Sequence, residues 1–89
     1  MIIDAHDYVH ISTQTTTQVY TGPSVLKNIT INTAAGIITI YDEVGGGTTN
    51  VIAILAATAV GTYMYNVPIT RGIKVVTAGA ADATVSFSV

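Results

Sequence analysis

The sequence predicts a single all-β domain, a β-sandwich or jelly roll of about seven short strands with an N-terminal arm ahead of it. Three observations carry that expectation. Apolar residues recur with period two rather than 3.6. The alternating runs are rich in Val, Ile, Thr and Tyr, which suit a pleated, half-buried surface. Turn signals containing glycine separate the runs at short, regular intervals. A chain of 89 residues has the length of one domain with one thin core.

The first strand is expected at about residues 15–20, closed by Gly22-Pro23. A second, 25–32, and a third, 37–42, flank Ala34-Ala35-Gly36. Gly45-Gly46-Gly47 then opens a connection expected to be flexible. In the next run Ile52 and Ile54 alternate with Val51, Ala53 and Leu55, so both faces are apolar, and residues 51–60 are expected to be a buried strand with its exit loop. Gly61 and Gly72 mark further turns. Tyr63, Tyr65, Val67 and Ile69 share one face, and Ile73, Val75 and Thr77 share another. After Ala78-Gly79-Ala80-Ala81-Asp82, the residues Ala83, Val85, Phe87 and Val89 alternate with Thr84, Ser86 and Ser88.

Two irregularities refine this pattern. Leu26 and Ile29 differ in parity yet both read as core, which a β-bulge near Lys27-Asn28 reconciles. Pro68 cannot donate to a ladder, so its strand is expected at a sheet edge or broken there. Residues 1–14 read as a separate arm that becomes ordered on docking, leaving 15–89 as the sandwich. The arm holds both histidines and two of the five acids.

Charge is scarce. Only 9% of residues are Asp, Glu, Lys or Arg, against roughly 25% in an ordinary soluble domain. No charge occurs from Val44 to Thr70, and fifteen threonines carry much of the polarity. A solubilising surface is normally charged, so part of this surface is expected to be hidden against copies of the chain or a larger body. Three bases, Lys27, Arg71 and Lys74, supply no basic stripe, which argues against nucleic acid. The uncharged run 51–60 is too short to cross ~30 Å of hydrocarbon. The start bears acids where a secretory signal bears bases, and the absence of cysteine leans towards synthesis in a reducing cytoplasm.

Few residues suggest chemistry. Asp4, His6, Asp7 and His10 have ligand character, and on a strand Asp4, His6, Tyr8 and His10 would share a face; their spacing fits no established motif, and a polar arm is the simpler reading. Asp42-Glu43 is a carboxylate pair, but strand neighbours point to opposite faces, so a solvated turn is expected. Gly45-Gly46-Gly47-Thr48-Thr49 lacks the Gly-Lys-Ser/Thr and helix of a phosphate loop. No Gly-x-Ser-x-Gly elbow is present, and a Ser-His-Asp triad would need His6 or His10 to fold back from the arm. Asn28-Ile29-Thr30 matches a glycosylation sequon, a common chance match. Tyr63 and Tyr65, on one face, suit either a sugar-stacking platform or core and subunit packing.

The order of residues is informative as a whole. Thr17-Gln18-Val19-Tyr20-Thr21-Gly22-Pro23-Ser24-Val25-Leu26-Lys27-Asn28-Ile29-Thr30-Ile31-Asn32 is followed by Ile38-Thr39-Ile40-Tyr41-Asp42, Gly61-Thr62-Tyr63, Gly72-Ile73-Lys74-Val75 and Ala83-Thr84-Val85-Ser86-Phe87. This resembles small β-sandwich virion proteins of tailed bacteriophages, some of them capsid decoration (cement) proteins, over residues 17–89. The resemblance implies a non-enzymatic structural protein, made in the host cytoplasm and bound to the major capsid protein on the head surface as a homotrimer. Together with the charge and length arguments above, no nucleic acid, membrane or cofactor is expected. It carries over no catalytic, cofactor-binding or metal-binding residue. Tail and fibre modules use similar sandwiches, so the alternative is a module binding a bacterial surface glycan.

Overall fold

A computed structural model describes residues 7–33, 36–55 and 60–89. Eight strands run through it: β1 (Asp7–Ile11), β2 (Thr16–Thr21), β3 (Ser24–Thr33), β4 (Ile38–Asp42), β5 (Val51–Leu55), β6 (Gly61–Ile69), β7 (Gly72–Thr77) and β8 (Asp82–Ser88). They form two four-stranded sheets, ordered β1-β8-β3-β6 and β2-β7-β4-β5. Every pairing is antiparallel. The pairs β1·β8, β2·β7, β3·β6 and β4·β5 nest like the limbs of one long hairpin, and the contacts β8·β3 and β7·β4 close it into a roll. This is the jelly-roll order.

Period-two alternation supplies the core. Leu26, Ile29 and Ile31 of β3 and Ala83, Val85 and Phe87 of β8 point in from one sheet. Ile38 and Ile40 of β4 meet them with Ile73 and Val75 of β7. Burying each large aliphatic side chain contributes about 1.5–3 kcal/mol. Tyr20 and Phe87 link the layers, with ring centroids 5.4 Å apart and planes tilted by 39°.

Both irregularities lie where expected. The register of β3 shifts between Leu26 and Asn28 against β6 and against β8, and both Leu26 and Ile29 are fully buried. Pro68 lies exposed on β6, an edge strand.

The arm is a correction. Residues 7–11 pair with β8 from Asp7↔Phe87 to Ile11↔Ala83, and Ile11 is buried. The sandwich therefore takes in most of the expected arm and has an eighth strand; residues 1–6 lie outside the described residues. As an edge strand with one wet face, β1 needs apolar side chains only at alternate positions, Val9 and Ile11, too few to stand out as a period. The β1–β2 corner is held from β7 by Thr77. Its buried hydroxyl accepts the Thr15 N–H at 2.9 Å and donates to the Thr13 carbonyl at 2.6 Å.

Replacing Thr77 with Val keeps the shape and removes both hydrogen bonds. Thr77→Val is expected to lower unfolding free energy by about 1–3 kcal/mol, measured by urea denaturation; an unchanged midpoint would contradict the anchoring role.

Candidate assembly surface

The uncharged stretch of sequence maps onto one flank. β5 and β6 are edge strands of opposite sheets, and the short connection between them places them on the same side of the sandwich. Their core-facing residues are incompletely covered: Ile52, Ala53, Leu55, Tyr63, Tyr65 and Val67 pack against the core while staying partly exposed. Around them Val51, Ile54, Val60 and Met64 are exposed, Ile54 to 62% and Met64 to 65%. The expectation of a buried strand is thus corrected over 51–55, and residues 56–59 of the expected exit loop lie outside the described residues. β5 is apolar on both faces, but it lies at an edge, where this chain covers one face only.

The four edge strands differ in how they meet solvent. β1 carries Asp7 and His10. β2 is mostly Thr and Gln, with an irregularity between Gln18 and Tyr20. β6 has Pro68 and a second irregularity, where Tyr65 and Asn66 stand opposite Lys27 and Asn66 takes φ 54°. Charges, prolines and bulges of this kind discourage pairing at an edge. β5 has neither charge, proline nor polar side chain. Its one irregularity, at Ile52, leaves Ala53–Leu55 in regular register with β4.

Charged side chains hold loop backbone instead. Asp42 accepts backbone N–H groups of Arg71 (2.8 Å), Thr70 (3.1 Å) and Gly72 (3.2 Å), fixing the β6–β7 turn. Burial alone would raise its carboxyl; the N–H groups of Arg71, Thr70 and Gly72, with the Arg71 charge, outweigh that and hold it below the ordinary value. Glu43 is only 8% exposed. Its Oε2 accepts the Asn50 N–H and Nδ2 at 2.9 Å each and the Thr49 N–H at 3.2 Å. The Asn50 N–H contributes most to holding Glu43 below its usual value; burial opposes it, and Thr49, the Asn50 side chain and Arg71 add to it. Both acids are therefore loop anchors, not the solvated turn expected.

The glycine run is held as well. Lys74, 3% exposed, donates to the carbonyls of Gly45 (3.0 Å) and Gly47 and lies 5.0 Å from the centre of the Tyr41 ring. The Gln18 amide donates to the carbonyls of Glu43 and Ile73 and accepts the Gly45 N–H. A Cβ on Gly47 would fall 2.6 Å from Glu43 Oε1, and one on Gly72 2.6 Å from the Tyr20 carbonyl oxygen. Glycine at these two positions permits close approach, while a Cβ on Gly45 or Gly46 would meet nothing within 4 Å.

The remaining candidates separate. Asp4 and His6 lie outside the described residues. Asp7 is exposed, and Tyr8 and His10 share the outer face of β1, as their parity requires. His10 Nε2 lies 2.7 Å from Asp82 Oδ1, which also accepts from Asn32 Nδ2 at 3.0 Å. These bonds, Asn32 first, hold Asp82 below the usual carboxylate value against burial, with the His10 charge adding to them. Among the described residues no three His, Asp or Glu side chains group as metal ligands, and no cavity occurs. Asn28 of the sequon stands inside β3, paired with Ser86 and Met64. Tyr63 and Tyr65 turn towards the core, and burial, with Tyr63 beside it, raises the Tyr65 hydroxyl; the stacking platform is not formed. The sequence reading missed the open β5 edge, whose signal was a doubly apolar strand within a chargeless stretch.

Comparison with protein-family models, with curated proteins and with solved structures finds no match to this chain.

Asp42, Glu43 and Asp82 all titrate below their ordinary values, so as pH falls the unfolded chain takes up these protons first. The stability they contribute is complete above about pH 5 and is lost as pH falls through the lowered values. The melting temperature is expected to stay flat from about pH 8 to 5 on their account and to drop below about pH 4. Glu43→Gln should melt lower at neutral pH with a shallower acid decline; an unaltered acid limb would refute its anchoring role.

Proposed function

We propose that this chain is a structural subunit, a jelly-roll decoration protein that docks on the outside of a tailed-phage head against the major capsid protein. The observation that carries the reading is the open flank of β5 and β6, apolar and uncharged on a chain of otherwise low charge. Such a surface belongs in a contact. Two further points support it. The eight-stranded jelly roll is an architecture of viral capsid domains, although lectins and cupins share it and a fold by itself assigns no function. The charged groups best placed for chemistry, Asp42, Glu43 and Lys74, are engaged with loop backbone.

The mechanism is linkage. A protein that binds only the assembled shell stabilises it by mass action, by about 2.7 kcal/mol at a hundredfold excess over Kd. The contact adds buried surface that must be broken before the shell can open. The glycan-binding alternative relied on an exposed Tyr63–Tyr65 platform, and these rings face the core.

Removing residues 1–14 would take away strand β1 and is not a clean test. The intact protein should instead be mixed with undecorated shells of the phage that carries its gene and sedimented. Saturable co-sedimentation and a higher disruption temperature of the loaded shells are expected; failure to sediment with them would refute the decoration reading.

A further inference from the structure

We propose that the β5 edge is completed by the β5 edge of a second copy, in a two-fold antiparallel contact joining two four-stranded sheets into one of eight. This deepens the assembly reading and rests on it: it names the occupant of the β5 edge of the open flank and leaves the outer face of β6, with Met64 exposed, to the shell.

The choice of edge follows from comparison. Of the four edge strands, β1 is charged, β2 is polar and irregular, and β6 is interrupted at Tyr65-Asn66 and at Pro68. β5 alone offers an entirely apolar strand, and its exposed backbone groups are a template for another strand. The choice of occupant follows from chemistry. With no charge between Val44 and Thr70, the flank offers nothing for a charged partner to pair with, whereas a copy brings the same neutral strand and no like-charge repulsion. Parity agrees. With Ile54 opposite Ile54 of the copy, Ala53 falls opposite the copy's Leu55. Core-facing residues then meet core-facing ones, and the two exposed Ile54 side chains pack beside each other on the outer face.

An edge meeting its own copy closes at two subunits, not the three implied by the resemblance to decoration proteins; a ring of three uses two different surfaces on each copy. Closure also ends growth. The outer edges of the joined sheet are the two β2 strands, polar and irregular.

The test is native mass by light scattering over a tenfold concentration range, for the wild type, Ile54→Lys and Tyr8→Lys. Tyr8 is 70% exposed on the opposite flank and serves as the charge control. The wild type and Tyr8→Lys are expected at twice the 9.2 kDa chain mass, with Ile54→Lys dissociating at least about tenfold more readily and keeping its strand circular dichroism. A monomeric wild type, or an Ile54→Lys variant as dimeric as the wild type, overturns the proposal. A trimer overturns the β5 pairing and leaves the decoration reading standing, which shell co-sedimentation decides separately. Hydrogen exchange reads the same contact without substitution: protection of β5 amides must rise with protein concentration, and protection independent of concentration overturns the proposal.

Discussion

Two sheets of four strands leave half of the strands at an edge, and that ratio governs this molecule. Only β8, β3, β7 and β4 have neighbours on both sides, and they supply nearly all the fully buried side chains. Each edge strand is covered on one side by its own sheet and needs some means of meeting solvent on the other. In β1, β2 and β6 that means is charge, hydroxyls, or an interrupted ladder. β5 has neither charge nor hydroxyls, its one irregularity at Ile52 leaves Ala53–Leu55 in regular register, and its outward Ile54 makes the same point on the face of the sheet.

The scarcity of charge sharpens once the fold is known. Asp42, Glu43 and Lys74 hold loop backbone, and Glu43 and Lys74 are nearly inaccessible. A charge engaged with carbonyl or N–H groups does little to repel another molecule, so the outward-facing charge is lower than composition states. Lys74 shows the trade clearly. Its ammonium is satisfied by carbonyls of Gly45 and Gly47 and by the Tyr41 face, an arrangement that closes the β4–β5 loop over the sheet. That loop leads directly into β5, so the charged residue that orders the loop also positions the uncharged edge.

What was legible in the sequence depended on whether the signal was local. The bulge at Lys27-Asn28 announced itself because two core residues fell out of phase within four positions, and Pro68 marked an edge because proline lacks an N–H. β1 was illegible because an edge strand of five residues shows too little alternation. Asp42 was misread because its partners, the N–H groups of Thr70, Arg71 and Gly72, are brought to it only by the β6–β7 turn. β5 was read as buried because an apolar strand states what it requires, not where it lies. Periodicity reports the number of faces to be covered, and topology decides how many the chain covers itself.

That difference is the basis for reading function here. In a monomer, a strand apolar on both faces belongs in the middle of a sheet, where β7 and β8 are. At an edge it leaves a hydrophobic face uncovered and invites unlimited strand addition. Two arrangements reconcile such a strand with a soluble protein: guards on the strand, or a partner that consumes the edge. The guards are present on the other three edges of the same molecule, so their absence on β5 is specific to that strand and not a general feature of a chain poor in charge. A partner that consumes the edge removes the hazard and gains the uncovered surface of Ile54, Val51 and the half-covered rings of Tyr63 and Tyr65. The feature that makes the isolated chain vulnerable is therefore the one that suits it to assembly.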